Sequence, residues 1–114
     1  MTSHSEHQIQ CQLVSWFRRE FAPVRIFAIP NGGHRHKVVA AKLKAEGVTS
    51  GVPDLYIPDW HLWVEMKTEK GRLSEAQRDW MDYLMRCGDG HIVGYGLEDA
   101  KRKIECFCSE LKKS

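Results

Sequence analysis

The segment Leu62-Trp63-Val64-Glu65-Met66-Lys67 constrains this chain more than any other part of it. Successive side chains of a strand point to opposite faces, so Leu62, Val64 and Met66 share one face while Glu65 and Lys67 share the other. Such a strand needs an apolar layer on one side. On the other it sets a carboxylate and an ammonium side by side, with Cα atoms roughly 7 Å apart. The chain has 114 residues, 42% of them hydrophobic and 28% charged, the proportions of an ordered globular protein. That length suffices for one core of two or three layers, so a single domain over residues 1–114 is expected.

The rest of the chain supplies the layers. Residues 3–21 carry Ile9, Leu13, Trp16 and Phe17 at helical spacing, and Pro23 ends that helix. Ser3 and Glu6 fit a capping box at its start. Arg25 to Ile29 is a short apolar run that suits a buried strand, closed by Pro30-Asn31-Gly32-Gly33. Residues 35–46 form an Ala/Lys/Leu-rich helix stopped by Gly47. Strands over 52–57 and 62–67 are joined by Pro58-Asp59-Trp60-His61, a connection short enough to require an antiparallel hairpin. Ser74 and Gln77 form a capping box for a helix that runs to about Cys87. A strand over 91–95 and a closing helix from Leu97, with Ala100, Ile104, Phe107 and Leu111 on one face, complete the order α-β-α-β-β-α-β-α. The fold class is α/β, a mixed sheet flanked by helices.

Several function classes are excluded at this level. No apolar run approaches the roughly 20 residues that cross a bilayer, and MTSHSEHQIQ lacks the features of a secretory signal, so a cytoplasmic protein with no membrane partner is expected. Cys11, Cys87, Cys106 and Cys108 are scattered, with no pair at the two-residue gap usual for structural zinc, and free thiols are expected. The net charge of +2 says little about nucleic acid, but its distribution is lopsided. Between Arg25 and Lys44 there are Arg25, Arg35, Lys37, Lys42 and Lys44, with His34 and His36 among them and no acid. That stretch is either a solvated helix face or a phosphate-contacting stripe.

The chemistry concentrates around the hairpin. Asp54, held at the start of one strand by Gly51-Val52-Pro53, brings a second carboxylate to the sheet end that carries Glu65. Glu6, one turn before Ile9, extends the buried stripe of the first helix and offers a third carboxylate, although it also fits the helix cap. Three carboxylates would repel a phosphodiester unless a cation inverted the local field. Oxygen donors without His or Cys suit Mg²⁺ or Mn²⁺, and Lys67 would then orient or deprotonate a water or neutralise charge on the phosphate.

The PNGG of residues 30–33, the GVPDL of 51–55, the EMK of 65–67 and the LSEAQ of 73–77 together resemble the VRR-NUC branch of the PD-(D/E)XK nucleases, over nearly the whole chain. The resemblance implies a restriction-endonuclease-like core, in which Asp54 and Glu65 bind the metal, Glu6 joins them and the Met66 carbonyl completes the shell. Lys67 matches the catalytic lysine, and Gln77 matches a glutamine that steadies the lysine, the water or a phosphate. Asn31, Gly32 and Gly33, with His34, Arg35, His36 and Lys37, would border the cleft and meet DNA. The chain resembles the stand-alone viral and bacterial members, which implies a homodimer that cuts branched DNA in the manner of a Holliday junction resolvase, with a phage or prophage origin. A flap or single-strand nuclease of the same chemistry is the alternative. A DNA-binding module without catalysis would leave the acidic cluster unexplained.

Overall fold

A computed structural model describes residues 5–30 and 37–113. In chain order the elements are α1 (Glu6–Glu20), β1 (Phe27–Ala28), α2 (Lys37–Ala45), β2 (Leu55–Ile57), β3 (Leu62–Lys67), α3 (Glu75–Arg86), β4 (Gly90–Tyr95) and α4 (Leu97–Lys113), with a 3₁₀ turn at Pro58–Trp60 inside the hairpin. The order expected from the sequence holds. The sheet runs β1-β2-β3-β4, antiparallel between β1, β2 and β3 and parallel between β3 and β4. The parallel pair requires a crossover, which α3 provides.

Alternation along β3 divides the molecule into two sides. Leu62, Val64 and Met66, with Leu55 and Ile57 of β2, are fully buried in one cluster with Ile9, Leu13, Trp16 and Phe17 of α1 and Ala100 and Ile104 of α4. Burying side chains of this size stabilises by roughly 1.5–3 kcal/mol each, so this layer is the main source of folding free energy. Gly94 sets the β4–α4 distance, because a Cβ there would lie 2.5 Å from the Ala100 Cβ. The opposite face of the sheet carries Trp63, Glu65 and Lys67, and α3 lies against its β4 side.

Four local expectations need correction. The cap of α1 is the reciprocal pair Ser5 and Gln8, each side chain bonding the other's backbone N–H; Ser3 lies outside the described residues. The run around Phe27 is not a buried strand. Phe27 and Ala28 pair on the sheet edge and both are exposed, because an edge strand has a neighbour on one side alone; of the run, Ile26 is buried in the core, and the Ile29 N–H reaches the Asp54 carbonyl at 2.8 Å. β2 begins at Leu55 rather than Val52, since Pro53 has no N–H to extend the ladder. Finally, the buried stripe of α4 covers Ala100 and Ile104 and reaches Phe107, but Leu111 is exposed one turn further on. The four cysteines are free thiols, as expected.

Candidate active site

The register of the hairpin creates the first feature of the site. Leu55 pairs with Val64, Tyr56 with Trp63 and Ile57 with Leu62, so continuing the pattern sets Met66 opposite Pro53. Proline cannot donate, and the Met66 carbonyl loses its ladder donor at that position. The Met66 N–H is taken instead by a side chain: it donates to Asp54 Oδ2 at 2.8 Å. A strand residue presents its N–H and C=O to the same edge, so the Met66 carbonyl projects toward Asp54. The Pro-Asp pair therefore ends β2, leaves a main-chain oxygen without its ladder donor and fixes a carboxylate beside it.

Among the described residues, Glu65 is the one charged residue in the buried set, 2% exposed. Its Oε2 accepts from Gln77 Nε2 at 2.9 Å, while Oε1 is buried with no hydrogen-bond partner. Burial pushes its carboxyl pKa up to about 9, helped by the neighbouring Asp54 carboxylate, whose charge and acceptor oxygens favour the protonated acid, and by the more distant charge of Glu6; Lys67 pulls the other way. A buried carboxylate with a free oxygen and a second carboxylate beside it is costly unless a proton or a cation joins the pair.

Helix capping aims the residue that holds Glu65. Ser74 caps α3 and accepts from the Gln77 N–H at 3.1 Å, while Gln77 Oε1 accepts from the Ser74 N–H at 2.8 Å. With its oxygen committed to the cap, the amide turns Nε2 toward Glu65; the cap is the one expected, and the side chain's contact in the site is with Glu65 rather than with the lysine. Gly51 lets the Asp54 loop dock on this same turn. It has φ +94°, and a Cβ there would lie 2.7 Å from the Ala76 carbonyl oxygen. Lys67, half-buried on the Glu65 face, has its stem packed beside Gly71, where a Cβ would come within 3.1 Å of the lysine Cβ.

Asp54, Glu65, Lys67, Gln77 and the Met66 carbonyl are thus brought to one end of the sheet. Glu6 is not drawn in as closely. It is exposed on the first turn of α1 rather than part of the buried stripe, and it reaches Glu65 through charge. Among the described residues no three acidic, histidine or cysteine side chains cluster tightly enough to form a metal cage by themselves. Two carboxylates and a carbonyl nevertheless fit a hard cation such as Mg²⁺ or Mn²⁺, which commonly keeps several waters and takes only one or two carboxylates. The unpartnered Glu65 Oε1 is the observation that favours this fit. Asn31, Gly32, Gly33, His34, Arg35 and His36 lie outside the described residues, and Lys37 opens α2.

Sequence reasoning missed the surroundings of Trp63. Its indole N–H donates to Asp89 Oδ2 at 2.9 Å, and its ring lies 4.3 Å from that of Tyr56. His91 stands opposite it on β4, where burial pushes the imidazole pKa down and favours a neutral ring. The signal was available in the parity of β3, since Trp63 shares the face of Glu65.

A solved structure described as a VRR_NUC domain protein is similar over 94% of this chain and 90% of its own, with a TM-score of 0.77 and 24% sequence identity. At that identity the likeness speaks for the fold. No curated protein matches the sequence. The family model of the VRR-NUC domain matches residues 1–95. With a match over that share of its 114 residues, the chain belongs to the VRR-NUC family of nuclease-type domains.

Proposed function

We propose that this chain is a Mg²⁺- or Mn²⁺-dependent endonuclease that hydrolyses phosphodiester bonds in branched DNA, in the manner of a Holliday junction resolvase, and that it works as a homodimer. The observation that carries the reading is the buried Glu65, with one oxygen unpartnered, beside Asp54 and on the same strand face as Lys67. Asp54, Glu65 and the Met66 carbonyl hold the cation, and the charge of Glu6 adds to the field that favours it. When bound, the cation supplies Lewis-acid polarisation of a phosphoryl oxygen. Lys67 neutralises charge that builds on the phosphate, or takes a proton from the attacking water. Gln77 keeps Glu65 in place through Nε2. The basic stretch of residues 31–37 meets phosphates and contributes salt-dependent affinity. A twofold dimer supplies one such site for each of the two strands that a four-way junction must lose, matching the symmetry of its substrate.

The test is cleavage of labelled linear, flap, fork and four-way DNA, with and without Mg²⁺ or Mn²⁺. Chelation abolishes cleavage, and Asp54→Ala and Glu65→Ala lose both metal binding and activity. Lys67→Ala keeps metal and DNA affinity but is slower by about 10²–10⁴-fold. Full cleavage by Glu65→Ala, in a preparation free of other nucleases, would remove the assignment. A flap cut faster than a four-way junction by a sedimenting monomer would replace the resolvase with a flap nuclease.

A further inference from the structure

The sheet face that carries Glu65 and Lys67 also carries a row of rings. Phe27, Tyr56 and Trp63 are register partners across β1, β2 and β3, with ring centroids 5.9 Å apart for the first pair and 4.3 Å for the second. Trp63 precedes Glu65 by two residues, so the row lies one same-face step, roughly 7 Å, from the buried carboxylate. α3 lies on the β4 side of this face. At the β1 end Phe27 is 48% exposed. Directly beside it is an open groove of about 470 Å³ along Arg18, Arg25 and Phe27, with no carboxylate among its described lining residues.

We propose that this row is a stacking surface for the unpaired bases of single-stranded DNA, that Arg18 and Arg25 hold the phosphates leading onto it, and that it feeds the strand toward Glu65 and Lys67. The proposal rests on the nuclease reading, and within it the row selects unpaired strands, which favours the flap or single-strand substrate over the fully paired arms of a four-way junction. Aromatic rings stack on any base, and guanidinium groups bind phosphate, so the row and the groove supply the two contacts that a sequence-tolerant single-strand site needs. A duplex keeps its base faces stacked inside and offers the row nothing to stack on. Charge agrees with this occupant. The carboxylate that touches the row, Asp89, accepts the Trp63 N–H and precedes β4, away from the arginine groove. Arg18 uses one nitrogen to reach the Ile26 carbonyl at 3.4 Å, which anchors the side chain and leaves other donors of its fork for phosphate.

The test is fluorescence anisotropy in excess chelator, so that binding is read without cleavage, using a labelled oligothymidylate and a blunt duplex of equal length. Phe27→Ala weakens oligothymidylate binding by about tenfold, Phe27→Trp restores it, and duplex affinity stays within about twofold in both. Arg25→Ala lowers the salt-dependence slope for the single strand by about 0.7. Because Phe27 is half exposed on an edge strand, the variants keep the wild-type melting temperature, which is measured alongside. Equal losses for single strand and duplex, or no loss for either, overturn the proposal. So does a Phe27→Ala protein that sediments as a monomer where the wild type is a dimer, which would make the row a subunit contact. If no DNA is cut with Mg²⁺ or Mn²⁺ while the single-strand preference and its loss in Phe27→Ala remain, the nuclease reading fails and the stacking surface stands.

Discussion

Leu62, Val64 and Met66 leave β3 toward α1 and α4 and are fully buried among apolar side chains, whereas Trp63, Glu65 and Lys67 leave the same six residues toward the opposite face, where Trp63 and Glu65 meet polar partners. On the first face every burial removes apolar surface from water and adds stability. On the second, burial works against the fold, because Glu65 must keep a proton or lose free energy. The contrast teaches that a single strand can serve as the centre of the core and as the floor of a reactive site, provided that the apolar layer is strong enough to hold the other in a costly arrangement. Substitutions on the two faces should therefore move stability in opposite directions.

The largest effect is expected on the apolar face. Phe17 is fully buried, stacks on Phe21 at 4.8 Å and meets Trp60 edge-on at 5.5 Å. Phe17→Ala should cost ~3–5 kcal/mol, a large fraction of the stability of a domain of this size. Urea unfolding followed by tryptophan fluorescence measures it. A loss under about 1 kcal/mol would mean that the α1 layer is not what holds the sheet, and the contrast would fail at its stronger side.

The opposite sign is expected at Glu65. Its folded pKa is raised from 4.5 to about 9, so below 4.5 both folded and unfolded chains hold the proton and there is no penalty. Between those values the unfolded chain releases the proton while the folded protein retains it. Stability contributed by this group therefore falls as pH rises through that window, and is lost above about 9. Glu65→Gln is neutral at every pH and should stabilise the metal-free protein by a few kcal/mol near pH 8, with almost no gain near pH 4. Melting curves of both proteins in chelator across this range give the difference. A Glu65→Gln protein less stable than wild type near pH 8 would show that the carboxyl is not strained in the folded state.

Much of this architecture was legible in the residues, for reasons that separate local from long-range physics. Helix caps and strand parity are local: Ser74 and Gln77 announced the start of α3, and the alternation in 62–67 gave β3 its bounds and both of its faces. The pairing of Asp54 and Glu65 followed from a short hairpin connection. What failed depended on neighbours that no local pattern encodes. Phe27 and Ala28 look like core but lie on the sheet edge, and Glu6 continues the spacing of Ile9 and Leu13 but stays in solvent because the layer above it has ended. The ring row needed three strands in register before it could be seen. The missing ladder donor at Met66 needed the register as well, although Pro53 was in plain sight.

The smallest effect, and the finest test of the contrast, lies at Gln77, where one amide serves stability with its oxygen and the site with its nitrogen. Oε1 closes the cap of α3 on the Ser74 N–H, and Nε2 donates to Glu65 Oε2. Gln77→Ala removes both bonds. The lost cap should cost about 1 kcal/mol, near 4 °C in melting temperature, at any pH. Gln77→Glu keeps an acceptor for Ser74 but turns the group facing Glu65 from a donor into a third carboxylate. Near pH 4, where Glu65 is protonated in the folded state, Gln77→Glu should melt close to wild type and above Gln77→Ala. Near pH 8 the added negative charge faces the pair of Asp54 and Glu65, and Gln77→Glu should fall to or below Gln77→Ala. A divalent cation should narrow that gap if the carboxylates bind it together, and leave it unchanged if they do not. Parallel pH profiles for the two variants would mean that Gln77 acts on the helix alone, and that Glu65 is positioned by its burial without help from α3.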